Sequence, residues 1–187
     1  MVREWDMTVP PLNAAGFRAR LSAFALDYIV MFIYIAVLTA VGFILTRLAP
    51  ALVGRAFGKH WSSQLIVIVV LTLPITLYFA LFESSTKQAT LGKRRMGLVV
   101  TDREGRRLNL TRSLARSLLK FVPWELAHTC IWGVRFAVDP AHVPLWDVGL
   151  AVVWLLVGAN LVALWLSNSK QTLYDRLSGS VVRMRAA

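Results

Sequence analysis

Three long apolar runs constrain the fold of this 187-residue chain more than any other feature. They cover residues 21–46, 65–82 and 148–166; the first contains one charged residue, Asp27, and the other two contain none. A helix needs about 20 apolar residues to cross the hydrocarbon core of a bilayer. Soluble folds rarely bury helices that are apolar on every side. The runs therefore predict three membrane-spanning helices.

A short phrase occurs twice, each time shortly after an apolar run. The first copy, residues 90–100, reads TLGKRRMGLVV, and the second, residues 172–182, reads TLYDRLSGSVV. Thr, Leu, Arg, Gly and a Val-Val pair recur in register. Repeated phrases usually mark repeated structural units. We therefore expect two halves, each a helical pair closed by this phrase, with both copies on the same side of the membrane.

A same-side arrangement requires a fourth crossing between the two copies, and residues 114–138 are the candidate. This segment is weakly apolar, because it carries Arg116, Lys120, Glu125, His128 and Arg135. Two alternatives follow. The chain is either an all-α bundle of four transmembrane helices, or it has three spans plus an amphipathic helix that lies in the interface.

The distribution of basic residues favours four spans. With four spans and an inner N-terminus, four basic residues lie outside, namely Arg47, Arg55, Lys59 and Arg135, and the other 17 of the 21 lie inside. Three spans would move the basic tail outside, against the positive-inside rule. We therefore predict a single domain, residues 1–187, with both termini cytoplasmic. The net charge of +11 then reflects membrane orientation and attraction to anionic lipid, rather than nucleic-acid binding.

The inner loop, residues 83–113, contains a predicted β-hairpin. Residues 98–101 are mostly β-branched, residues 102–105 begin with Asp and end with Gly as in a turn, and residues 107–110 alternate polar and apolar. Two strands alone are marginally stable. Residues 180–184 of the second phrase are therefore predicted to add a third strand.

Asp27 is an acidic residue inside an apolar run. At this depth a carboxylate should face protein or trapped water rather than lipid. Its candidate partners are Arg20, which lies two helical turns earlier, Arg116 and Asn160. Two interpretations stay open: a proton or cation site, and a structural ion pair that holds the helices together.

The two copies of the phrase differ at one informative position. Lys93 in the first copy stands where Asp175 stands in the second. We expect these two side chains to form an ion pair across the pseudo-symmetry axis. The alternatives for Asp175 are an ion pair with a neighbouring arginine, such as Arg176, and a helix cap.

Motifs for catalysis are absent from the sequence. No nucleophile motif and no phosphate-binding glycine loop is present. Glu125 and His128 lie one turn apart, but two ligands make a poor metal site, so ordinary interfacial polarity is favoured over a metal pair or proton relay. Pro74 predicts a kink in the second span. We therefore expect no enzymatic activity, no metal and no cofactor.

Three ordered motifs run through most of the chain. They are RLSAFALD at residues 20–27, QATLGKR at 88–94 and QTLYDRL at 171–177. Together they resemble the signature of the RDD family of bacterial membrane proteins, which is named for one Arg and two Asp residues. The resemblance assigns these to Arg20, Asp27 and Asp175. Tyr174 departs from the family, whose closing motif often has His at this position.

The resemblance implies a helical, multi-pass protein of the bacterial inner membrane. Some members of the family have been linked to sodium/proton antiport, although a shared fold does not establish a shared function. Two functions are therefore expected. The first is a small cation/proton transporter that uses Asp27 and forms a homo-oligomer. The alternative is a non-catalytic scaffold whose basic cytoplasmic face binds anionic lipid or another protein.

Overall fold

A computed structural model describes residues 14–137 and 143–185. Along the chain, the elements are α1 (Phe17–Leu48), α2 (Pro50–Ala56), α3 (His60–Val67), a π-helical turn (Ile68–Thr72), α4 (Leu73–Ser84), α5 (Leu91–Arg95), β1 (Leu98–Asp102), α6 (Leu110–Arg135), α7 (Val143–Leu166), α8 (Leu173–Leu177) and β2 (Ser180–Met184).

Three helical stretches are long and apolar enough to cross a membrane. They are Phe17–Leu48, His60–Ser84 and Pro144–Leu166, and they contain the three predicted spans. Most of the large apolar side chains on these helices lie on the surface of the molecule; Phe32 and Leu155 are examples. Helices satisfy their own backbone polar groups, so such surfaces are compatible with hydrocarbon.

The weakly apolar segment forms one continuous helix, α6, of 26 residues. At 1.5 Å per residue it is about 39 Å long. Near its start, Ser113 Oγ donates a hydrogen bond to the carbonyl of Ala80 at 2.9 Å. Near its end, the Trp132 ring packs against Phe57, with centroids 6.4 Å apart. The helix therefore runs beside α3 and α4 for most of their length. The predicted end of this segment, at residue 138, lies outside the described residues.

Small residues bring α6 and α7 close together. A Cβ at Gly133 of α6 would overlap the ring of Trp146, and a Cβ at Gly149 of α7 would overlap the sulfur of Cys130. Small residues are a common device for helix approach within membranes, because they let backbones pack directly.

Strands β1 and β2 form a two-stranded antiparallel sheet in which Val100 lies opposite Val182. The predicted pairing of residues 180–184 is thereby confirmed. The predicted second strand of the hairpin is wrong: it is reduced to a single bridge between Thr101 and Arg107. The physical reason is the start of α6, where the Asn109 side chain accepts the Arg112 N–H at 2.8 Å and ends the extended segment.

Both copies of the phrase adopt the same local structure. Thr90 and Thr172 cap the short helices α5 and α8, and Gly97 and Gly179 follow with φ of 65° and 62° before each strand begins. Glycine adopts this left-handed conformation readily, which explains its recurrence. Because corresponding valines of the two strands lie opposite each other, a pseudo-twofold axis passes between them. We call this end of the molecule the sheet end.

Helix α1 joins the sheet end to the helical bundle through one buried stripe. Ala23, Asp27 and Met31 follow each other at intervals of four residues, so they share a helix face. Ala23 belongs to an apolar cluster under the sheet, with Leu98, Val100 and Val182 among its members, and Met31 belongs to a second cluster with Ile75 and Phe79. Asp27 therefore lies between two apolar clusters.

Candidate functional site

Asp27 is 1% exposed and accepts three hydrogen bonds from uncharged groups. Tyr78 Oη donates to Oδ1 at 2.8 Å, Thr90 Oγ1 donates to Oδ2 at 2.6 Å, and the Gly92 N–H donates to Oδ1 at 2.8 Å. Two of these donors lie at the N-terminus of α5, where backbone N–H groups lack partners within the helix. The carboxylate on α1 therefore caps α5 and attaches the first phrase to the first span.

Gly92 makes this contact feasible because it has no side chain. A Cβ at this position would overlap the carbonyl oxygen of Ala23 and the backbone and carboxyl carbon of Asp27. Its φ is not in the left-handed region, so the requirement is close approach rather than conformational freedom.

A chain of buried ion pairs lies beside Asp27. Lys93 Nζ binds Glu83 Oε1 at 2.6 Å, and Arg116 Nη1 binds Glu83 Oε2 at 2.5 Å. Arg116 Nη2 binds Asp175 Oδ1 at 2.7 Å, and Arg20 Nη1 binds Asp175 Oδ2 at 2.7 Å. The five side chains come from α1, α4, α5, α6 and α8. Removing one partner of such a pair leaves a buried charge uncompensated, which is strongly destabilising. We call these five residues the ion chain.

Asp175 also closes the N-terminus of its own helix. Its Oδ2 accepts the Thr172 N–H at 3.2 Å, while the Thr172 hydroxyl accepts the Asp175 N–H, which is a capping box. Burial would raise the pKa of Asp175, but the guanidinium groups of Arg116 and Arg20 outweigh it and hold the pKa well below its usual range. Of the sequence interpretations, the helix cap is confirmed; Asp175 also forms ion pairs with arginines, and these are Arg116 and Arg20.

The predicted partners of Asp27 are wrong. Arg20 and Arg116 bind Asp175 instead, and Asn160 donates to the carbonyl of Leu156 in its own helix at 2.9 Å. The reason is the return of the chain after α4, which brings the N-terminus of α5 onto α1 and supplies neutral donors to the carboxylate.

The predicted Lys93–Asp175 ion pair is also wrong. Lys93 binds Glu83, and Arg116 bridges Glu83 to Asp175, so an acid and a base stand between the two expected partners. Arg176, the neighbouring arginine, is exposed and forms no ion pair with Asp175 in the described part of the chain.

Glu83 is the member of the ion chain that the sequence did not predict. It is 0% exposed, and it directly follows the apolar run of residues 65–82. An acid at the last turn of a span, facing a basic loop, is the available signal. Tyr78 gave no comparable signal, because its apolar neighbours made it indistinguishable from a lipid-facing aromatic residue.

A cavity of about 60 Å³ opens beside Asp27 and the ion chain. Four basic side chains and several aromatic rings line it: Arg20, Lys93, Arg116, Lys120, Phe24, Phe79 and Tyr174. Lys120 Nζ lies 3.2 Å from the centroid of the Phe79 ring, a cation–π contact. The walls of the cavity are therefore mostly cationic and aromatic.

A second polar contact lies farther along α6. Glu125 Oε2 accepts a hydrogen bond from Gln64 Nε2 at 2.9 Å, and Oε1 accepts one from Thr72 Oγ1. His128 Nδ1 instead lies 3.0 Å from the carbonyl of Trp124 in its own helix. Glu125 and His128 therefore have separate partners. Residues 14–137 and 143–185 contain no group of three or more His, Cys, Asp or Glu side chains arranged to hold a metal ion.

Three helices of membrane-spanning length define a multi-pass membrane protein. A buried ionic network joins the first two of them to α6 and to the short helices α5 and α8. The RDD family profile matches residues 14–179, which is most of the chain, and the chain belongs to the RDD family. The family resemblance of the three sequence motifs is thereby confirmed. No curated protein and no solved structure matches the chain.

Proposed function

We propose that this chain is a non-enzymatic scaffold of the bacterial cell membrane that crosses the bilayer four times and binds anionic lipid at its cytoplasmic face. The observation that carries the proposal is the charge of the sheet end. Its exposed basic residues, which we call the basic platform, are Arg18, Lys87, Arg95, Arg103, Arg106, Arg107, Arg176 and Arg185.

Few acids offset the basic platform. At the sheet end, the one exposed acid in the described ranges is Glu104, which binds Arg106 at 3.2 Å. The other acids of this end, Asp27, Glu83, Asp102 and Asp175, are buried and bonded within the chain. Basic groups near an anionic leaflet each contribute about 1 kcal/mol of attraction. The platform should therefore bind anionic lipid headgroups more strongly than neutral ones.

Three observations support the fourth crossing and cytoplasmic termini. Both phrases contribute a strand to one sheet, α6 has the length of a span, and the basic residues concentrate at the sheet end. The positive-inside rule then orients the sheet end toward the cytoplasm. Asp27 and the ion chain fit this picture as structural elements, because they attach both phrases of the platform to the helices.

Native mass spectrometry in neutral detergent tests the proposal by counting retained phosphatidylglycerol and phosphatidylcholine. A platform variant carries Arg95→Gln, Arg103→Gln and Arg107→Gln. A matched control removes three charges from the opposite end: Arg47→Gln, Arg55→Gln and Lys59→Gln. We expect the platform variant to retain several-fold less phosphatidylglycerol and the control to match wild type. Equal retention by both variants would contradict the proposal.

One observation favours cation or proton passage as a second function. Glu125 lies beside the π-helical turn, with Gln64 and Thr72 as partners, and Gln64 Oε1 is buried without a hydrogen-bond donor in the described residues. π-Turns inside helices often occur at functional sites. An ionisable residue within a span is by default a functional candidate. In this second proposal Glu125, rather than Asp27, carries the ion, and a homo-oligomer encloses the path.

Flux through reconstituted vesicles with an imposed proton or sodium gradient tests this second function. We expect Glu125→Gln to abolish flux while the protein keeps its elution volume in size-exclusion chromatography. Asp147→Asn, at an exposed acid on α7, is the matched control. The absence of flux in wild-type vesicles would rule out the second function.

A further inference from the structure

We propose that the cavity beside Asp27 is a binding site for a phosphate-type oxyanion, supplied by a lipid headgroup or by free phosphate. The site is separate from the basic platform, because its basic side chains are buried or partly buried. The residues of the cavity wall that bear on oxyanion binding are Arg20, Lys93, Arg116, Lys120 and Phe24.

The charges around the cavity do not balance. Four basic groups line it, and three acids contact this set or line the cavity: Asp27, Glu83 and Asp175. Glu83 and Asp175 are each shared between two cations in the ion chain. In the described part of the chain, Lys120 forms no ion pair with a carboxylate, and its ammonium group faces the Phe79 ring. A partly buried ammonium group without a counter-ion is costly, so an anion bound beside Lys120 would stabilise its charged form.

Arg20 supplies a second, independent indication. Its side chain is 10% exposed, its Nε donates to the carbonyl of Ala15, and its Nη1 donates to Asp175. Its Nη2 is buried and has no acceptor among the described residues. A guanidinium donor without an acceptor beside a cavity is the group that an oxyanion would satisfy.

A cation does not suit the same cavity. Both oxygens of Asp27 already accept hydrogen bonds from Tyr78, Thr90 and Gly92. The other charged groups in the wall would repel a positive ion. The aromatic side chains lower the local dielectric constant, which strengthens the attraction of Arg20 and Lys120 for an anion. A volume of about 60 Å³ admits water or a small polyatomic ion.

The position of the cavity allows two sources of phosphate. The uncharged part of α1 after Asp27, residues 28–46, is about 28 Å long at 1.5 Å per residue, which matches the hydrocarbon thickness. Arg20 and Phe24 then lie at headgroup depth. Phe24 lines the cavity and is 45% exposed, so the cavity reaches the surface beside α1. A lipid phosphate can enter from the bilayer side, and a free phosphate from the cytoplasmic side.

Calorimetric titration of the delipidated protein in neutral detergent tests the site with two probes. The first is inorganic phosphate and the second is a short-chain phosphatidic acid. The site variant is Lys120→Met, which keeps an unbranched side chain, one atom shorter, and removes its charge. The matched control is Lys59→Met, at an exposed lysine outside the basic platform. We expect one tight site per chain, in addition to the weaker lipid binding of the basic platform. Binding at this site should be at least tenfold weaker in Lys120→Met and unchanged in the control.

The two probes distinguish the sources. Binding of inorganic phosphate supports a free oxyanion, and binding of phosphatidic acid alone supports a headgroup site. Lys120→Arg should restore binding, which separates loss of charge from loss of fold. Wild type should gain thermal stability with the bound probe, by the linkage of binding to folding, and Lys120→Met should not. The proposal is overturned if neither probe binds, or if Lys120→Met binds as wild type does.

This test is independent of the basic platform. The variant with Arg95→Gln, Arg103→Gln and Arg107→Gln should keep the one-per-chain site while it loses bulk phosphatidylglycerol. Conversely, Lys120→Met should keep the bulk lipid. The lipid-platform proposal and the cavity-site proposal can therefore fail independently, and the two variants show which one has failed.

Discussion

Asp27 and Asp175, the two aspartates of the family signature, perform corresponding tasks in the two phrases. Asp175 lies within α8 and accepts the N–H of the capping residue Thr172. The first phrase has Lys93 at the corresponding position, so it lacks an acid of its own. Asp27 reaches α5 from α1 and accepts a different N–H of that helix N-terminus, the N–H of Gly92. One signature residue is therefore local to its helix, and the other acts across the fold.

Gly92→Ala should destabilise the protein by about 2 kcal/mol or more, because the added Cβ has no space between α5 and α1. The matched control is Gly158→Ala in α7, where a Cβ meets nothing within 4 Å. Alanine has the higher helix propensity, so the control should be neutral or stabilising by up to about 1 kcal/mol. Thermal unfolding in detergent measures both. Equal midpoints of thermal unfolding for the two variants would show that α5 and α1 are not closely packed at Gly92.

Asp175→Asn should be most destabilising near neutral pH. The folded protein holds the pKa of Asp175 below its usual range, so the carboxylate contributes stability above its unfolded pKa of about 3.9. That contribution is lost as the pH falls below this value toward the folded pKa. The difference in unfolding midpoint between wild type and Asp175→Asn should therefore narrow below about pH 4. A difference that stays constant down to pH 3 would contradict the ion chain, and Asp147→Asn serves as the exposed control.

At the scale of elements, the second span shows how a sequence irregularity is accommodated. Proline has no N–H, so Pro74 cannot donate to the carbonyl of Val70, four residues earlier. The helix forms a π-turn over Ile68–Thr72, which ends two positions before Pro74. Tyr34 Oη on α1 donates to the carbonyl of Val70 at 2.5 Å. The sequence predicted a kink at Pro74 but neither the π-turn nor its partner on α1, because residues 34 and 70 are distant in sequence.

A double-mutant cycle tests this compensation. Tyr34→Phe should cost about 1 kcal/mol of stability, since the Val70 carbonyl loses its donor in a water-poor environment. Pro74→Ala provides a backbone N–H four residues after Val70. In that background Tyr34→Phe should cost less, and the two changes should not be additive. Strict additivity in thermal unfolding would mean that the hydroxyl does not replace the missing N–H.

The sheet is the element that unites the two halves. Its strands come from residues 82 positions apart, and each strand follows a short helix capped by threonine. The Val-Val repeat predicted the pairing of the strands. The hairpin partner was overestimated, because the cap at Asn109 starts α6 earlier than the alternating pattern suggested.

At the scale of the whole molecule, the position of α6 explains how both copies of the phrase come to lie at the same end. Both phrases lie at one end, and α6 runs from that end beside α4 toward the residues that follow α2. Hydropathy alone marks three spans, because α6 contains several charged residues. Arg116 and Glu125 are examples: each is bonded to a neighbouring helix.

Reporter fusions test the proposed topology. With four crossings, a reporter after Ala187 should be active as a cytoplasmic fusion, and the same reporter inserted after Gly105 should give the same result. A reporter inserted after Gly58 should report the opposite side. A C-terminal reporter on the outer side would instead favour three spans with α6 in the interface.

The sequence alone determined the features that depend on neighbours along the chain. The lengths of the apolar runs predicted three spans, and the repeated Thr and Gly predicted equivalent units, because hydrophobicity, capping and left-handed glycine act over a few residues. Only the tertiary structure decided the partners of the buried charges. Arg20, Glu83, Arg116 and Asp175 lie on different elements, and several acids and bases of suitable type were available to each. Which ions pair depends on how the helices pack, since electrostatic attraction is not specific to residue or to distance along the chain.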